Sequence, residues 1–214
     1  MPLATVTDAA ALADLLWRHT EDATFSSGLW TIAEIANYFT ERQNRFNAVT
    51  GLVVARGTVA VDADSRATLP ADWMATQRVS WQPTSGPRAG RAFSITRGDR
   101  FTDYATHQAS ATQPLAYDDH SGGTRVLELL PPSFPSSGNL DLLYASTLAA
   151  LALNPAAPVA FSVPSDFVPY LVYGVMTDML SKAGRGQDLE RAAYCLQRWE
   201  EGLALAALLL AGFA

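Results

Sequence analysis

The sequence predicts an α+β protein in which helices from both ends of the chain form a bundle and an antiparallel β-sandwich-like region is inserted between them. Three observations predict it. Apolar residues recur at steps of three and four before about residue 56 and after about residue 164, and they alternate in short runs between those points. Fourteen glycines and twelve prolines punctuate the chain, the prolines densest in that middle stretch. A hydrophobic fraction of 49% against 17% charged residues describes an ordered chain with a core to bury. The division expected is residues 1–56 plus 164–214 as a discontinuous helical bundle, with 57–163 as the β-rich insert.

The first helix is expected from Thr7, with Ala10, Leu12, Leu15 and Leu16 on its apolar face and a stop near Ser26-Ser27-Gly28. The second has a more explicit start. Thr31 and Glu34 have the spacing of a capping box, and Trp30 and Ile35 occupy the two positions of a hydrophobic staple. Its face runs through Tyr38, Phe39, Arg42 and Phe46, toward Val53 or Val54 if Gly51 does not end it first. Short β-type runs follow at Thr58–Val61, Met74–Trp81, Ala92–Thr96, Val126–Leu130, Leu140–Tyr144 and Val159–Val163, while Asp99–Tyr104 reads as a helical turn. Pro131, Pro132 and Pro135 cannot donate to a ladder, so they bound strands or lie on an edge.

Val163-Pro164-Ser165-Asp166 opens the closing helical hairpin, with Asp166 as the expected N-cap and Pro169 at N3, where a donor is orphaned in any case. The glycine-rich segment Lys182–Asp188 carries the only lysine but not the order of a phosphate loop, so it reads as the turn between helices. In the last helix Leu189, Ala192, Leu196, Trp199, Leu203, Ala206 and Leu210 form one seam, which places Leu196 and Trp199 in the core. Leu205, Leu208 and Leu209 lie off it. A helix apolar on most of its circumference needs deep burial or a partner, so Leu205, Leu208, Leu209, Leu210 and Phe213 are the candidate docking surface.

Chemistry is sparse. No nucleophile elbow, His-Glu-x-x-His pair, Cys-x-x-Cys or phosphate loop occurs, so no catalytic residue, cofactor or metal is expected. Asp118-Asp119-His120 and Asp62-x-Asp64 are read as polar loop chemistry in preference to metal or acid–base groups, and His19 and His107 as ordinary residues. Cys195, the one cysteine, is expected to be a small core residue. Trp73, Trp81, Phe93, Tyr117 and Tyr144 read as sheet and core material, with a sugar platform as the alternative. A net charge of −6 argues against tight, sequence-specific DNA binding. The N-terminus lacks the features of a secretory signal, and Leu203–Ala214 is about half the roughly 20 residues that a bilayer span requires.

Trp30-x-x-x-Glu34, then Leu69-Pro70-Ala71-Asp72-Trp73, then Arg78-Val79-Ser80-Trp81 form an ordered series that resembles the opening of tailed-phage head-to-tail adaptor (connector) proteins, a class that includes podophage tail tubular protein A. The series continues with Pro114-Leu115-Ala116-Tyr117, Leu127-Glu128-Leu129-Leu130-Pro131-Pro132, Leu140-Asp141-Leu142-Leu143-Tyr144 and Val163-Pro164-Ser165-Asp166. Tyr170, the position of Pro169 and the stretch 97–113 depart from the pattern. The resemblance implies a structural virion protein at the head–tail junction, assembled in the host cytoplasm as a dodecameric ring. Its implied partners are the portal protein, a downstream tail or nozzle protein, and DNA passing non-specifically through the channel, with no membrane. The rival readings are a carbohydrate-binding β-sandwich module and a virion-associated hydrolase.

Overall fold

A computed structural model describes residues 30–98, 113–119, 125–131, 137–151 and 161–211. The helix expected from Thr7, the turn at Asp99–Tyr104, His120 and Phe213 lie outside the described residues. The chain divides into two compact units, residues 1–53 with 147–214, and residues 54–146.

In the first unit α1 spans Ile32–Thr50. Thr31 caps it, its hydroxyl accepting from the Glu34 amide at 3.1 Å, as the sequence signature requires. Gly51, at φ 59°, ends it by adopting the left-handed conformation that a helix C-terminus favours, so the helix stops before Val53. Trp30 and Ile35 are both buried, and the Trp30 indole donates to the Met179 carbonyl at 3.0 Å. The returning chain is fastened to α1 by side chains. Gln43 donates to the Ala149 carbonyl, and Asn44 and Thr40 accept from the amides of Leu148 and Leu151.

A single 3-10 turn, Ser165–Phe167, leads into α2 at Val168–Ser181, and α3 spans Leu189–Ala211. Asp166 therefore lies within the 3-10 turn and is not the N-cap, a place taken by Phe167; Pro169 falls at N2, where its missing N–H is still harmless. Phe161–Val163 is not strand, because this segment bends toward the 3-10 turn. Phe39, Phe46, Leu171, Val175, Met179 and Trp199 make a fully buried core among α1, α2 and α3.

Among the described residues the second unit is one mixed sheet of seven strands in the order β1-β7-β3-β4-β5-β6-β2, where an antiparallel sandwich-like region was expected. The strands are β1 Val54–Ala60, β2 Arg66–Thr68, β3 Trp73–Pro83, β4 Phe93–Arg97, β5 Ala116–Asp118, β6 Val126–Leu130 and β7 Gly138–Ser146. Its pairings are antiparallel except β4 with β5. Burial alternates strictly along β1, the signature of a strand with one solvated face. By contrast β5 and most of β6 are buried on both faces. Val79, Trp81, Leu127, Leu129, Leu140 and Leu142 fill the core of this unit.

Candidate functional site

α2 and α3 approach closely because each sets a glycine against an aromatic ring of the other. The buried line of α3 is Ala192, Cys195, Trp199, Gly202 and Ala206, again in steps of three and four. A Cβ on Gly202 would sit 2.3 Å from the Tyr170 ring, and one on Gly174 would sit 3.0 Å from the Trp199 ring. This corrects the expected seam. Trp199 is fully buried, but Leu196 is 37% and Leu189 63% exposed, and Leu203 is half-buried. One residue turns a helix by about 100°, so seating Cys195 and Gly202 against α2 rotates Leu196 outward.

The two halves of α3 meet solvent differently. Up to Glu201 the outer face is mostly polar, Leu189 and Leu196 apart: Arg198 bonds the Glu201 carboxylate and the Tyr194 hydroxyl and lies over the Tyr194 ring, which packs edge-on against Tyr173. From Gly202 onward no charged residue occurs. There Leu205, Leu208 and Leu209 are 44%, 70% and 48% exposed. Leu210 lies within α3, but its side chain is outside the described residues, as is all of Phe213. Three large aliphatic side chains around one uncharged helix end are a binding surface or an aggregation liability.

Ionisable groups within the helical unit hold it together. Arg42 makes a bidentate pair with Asp178 and places its guanidinium 5.6 Å from the centre of the Trp199 ring. Lys182 pairs with Glu34 at 2.8 Å and holds that carboxyl below its usual range, while burial and the neighbouring Glu34 push the Tyr38 hydroxyl up to about 12. Cys195 is buried, and that burial raises its thiol pKa.

The candidate acids do not converge on a reaction centre. Asp118 and Asp119 are buried at the end of β5 and not in an open polar loop. Asp119 pairs with Arg97 at 2.8 Å, and the register partner of Asp118 is Glu128, which pairs with Arg66 at 2.8 Å. Sequence reasoning missed these ion pairs because each joins residues far apart in the chain. Asp62 folds its own turn by accepting from the amides of Asp64 and Arg66. Among the described residues no three His, Cys, Asp or Glu side chains cluster as a metal site, and no helix is long and apolar enough to cross a membrane. Trp81, Tyr117 and Tyr144 are buried, so they offer no stacking platform for a sugar.

The exposed leucines leave the end of α3 as the candidate docking surface. The family model described as SU10 adaptor protein matches residues 2–211. The chain belongs to that family and is a phage structural adaptor. No curated protein matches it.

Proposed function

We propose that this member of the SU10 adaptor protein family joins the portal to the tail at the head–tail junction of the virion, as a ring that lines the DNA channel in the manner of podophage tail tubular protein A. Docking is assigned to the end of α3, and the carrying observation is the exposure of Leu205, Leu208 and Leu209 beyond the last charged residue, Glu201. Leu210 and Phe213 extend the same uncharged segment and are proposed as part of it. The partners are the portal protein above and a tail or nozzle protein below, with assembly in the host cytoplasm. The net charge of −6 suits a DNA conduit, since phosphates are repelled and not held by released counterions.

Portal capture tests this reading. The full chain should retain portal protein in a pull-down, and a chain lacking residues 205–214 should not. Leu208→Lys guards against misfolding as the cause, because a side chain 70% exposed tolerates a charge without disturbing the core. It should weaken capture by on the order of tenfold or more, as a charge in the desolvated centre of an interface does. Undiminished capture by both variants would remove the end of α3 from the interface.

A further inference from the structure

On the solvent side of the β unit, strands β1, β7 and β3 set two side-chain rows in register. Arg56, Leu143 and Arg78 form one row, and Thr58, Asp141 and Ser80 the next. Most of these residues, together with Ala92, line a groove of about 310 Å³. The two arginines differ in what they already hold. Arg56 pairs with Asp141 at 3.1 Å, and Asp141, which also accepts from Thr58 at 2.8 Å, is held below the usual carboxylate range first by that hydroxyl and then by Arg56. Arg78 is exposed and, among the described residues, makes no hydrogen bond or ion pair. The loop joining β3 to β4 carries Arg88 and Arg91 and no acid, Arg88 donating to Gln113 and lying over the Phe93 ring. Neighbouring strands are about 4.8 Å apart, so Arg56 and Arg78 start roughly 10 Å from each other across Leu143.

Charge divides unevenly along this chain. Residues 54–146 hold eight arginines against nine acidic residues, whereas the remainder holds seven basic against twelve acidic. On α3 the exposed carboxylates of Glu190 and Glu200 make no ion pair among the described residues. A glutamate suits the groove on two counts, since its methylenes lie against Leu143 while its carboxylate meets an unengaged guanidinium. A phosphate backbone suits it poorly, because Asp141 stands in the middle of the groove and the whole chain repels polyanions.

We propose that this groove is a self-association site, in which Arg78 and its neighbours on one copy receive the exposed glutamates of α3, Glu190 and Glu200, from a second copy. The contact joins two different surfaces, so each copy offers one donor and one acceptor, and association propagates from copy to copy. It concerns contacts between copies and is independent of portal docking.

Charge reversal tests it on the full chain, followed by analytical ultracentrifugation with no portal present, so that failure here and failure of the portal reading are separate results. The natural chain should self-associate, more weakly as salt rises. Arg78→Glu should weaken association at least tenfold, and so should Glu190→Arg with Glu200→Arg, because each variant sets like charges against each other. Mixing the two variants should restore association, since the carboxylate introduced in the groove of one then meets the guanidinium groups introduced on α3 of the other. Arg78→Gln should fall between the natural chain and the reversal. A natural chain that stays monomeric, an Arg78→Glu chain that associates normally, or a mixture that fails to recover would each overturn the proposal.

Discussion

Gly202 sets how near α2 and α3 come, because any side chain there enters the space held by Tyr170. Gly202→Val should therefore cost about 1–3 kcal/mol by overpacking, read as a lower urea midpoint with an unchanged slope. Leu196→Ala should cost less than about 1 kcal/mol, because an exposed leucine leaves no cavity behind. Trp199→Ala, at a fully buried position, should cost about 3–5 kcal/mol. The contrast shows where the sequence misleads. Apolar periodicity scores large residues, so it selects Leu189 and Leu196, while the helices meet through Cys195 and Gly202, which carry little hydrophobic weight. Cys195 itself was legible as core. Its thiol is raised by burial and stays protonated at neutral pH, so alkylation of the folded chain should be slow and should accelerate on addition of urea. Fast alkylation without denaturant would place Cys195 at the surface.

Elements whose signals are local were readable, and elements made by their partners were not. The start of α1 follows from Thr31 and Glu34 alone, and Thr31→Ala should cost about 1 kcal/mol while Thr31→Asn should cost little. The three-residue strands β2 and β5 escape notice, because nothing within Arg66–Thr68 or Ala116–Asp118 distinguishes a strand from a loop until β6 lies between them. Asp118 and Asp119 were read as loop polarity for the same reason. A second pairing, Lys182 with Glu34, joins the end of α2 to the start of α1. Lys182 lowers the Glu34 pKa in the fold, so the stability it adds is present above the ordinary carboxylate range and fades as pH falls through the lowered value. Both partners are partly exposed, so Lys182→Met should cost under about 1 kcal/mol at neutral pH, and less still in acid. A cost that grows as the pH is lowered would contradict this pairing.

At the scale of the whole molecule, the change of hydrophobic period announces that helices surround a β-rich middle, whereas the topology of that middle was beyond reach. A parallel β4–β5 pair inside an otherwise antiparallel sheet depends on how chain segments cross, and no local pattern encodes a crossing. What the topology adds is a reason why one unit can interrupt another. The strand that leaves the helical unit, β1, pairs directly with the strand that returns to it, β7, with Val54 opposite Ala145. Paired residues on antiparallel neighbours are about 5 Å apart, so the insert is fastened at closely spaced ends and the helical unit keeps its own core of Phe39, Phe46, Leu171, Met179 and Trp199. Replacing residues 54–146 with a short Gly-Ser linker should then leave a helical protein that unfolds cooperatively on heating, followed by far-ultraviolet circular dichroism. Residues 1–53 alone should not fold, since Phe39 packs against Phe161 and Phe46 against Phe167 and Trp199, all beyond the insert. Loss of cooperative unfolding in the linker variant, or a stable fold for residues 1–53, would mean that the helices do not share one core and that the β unit is not an insert.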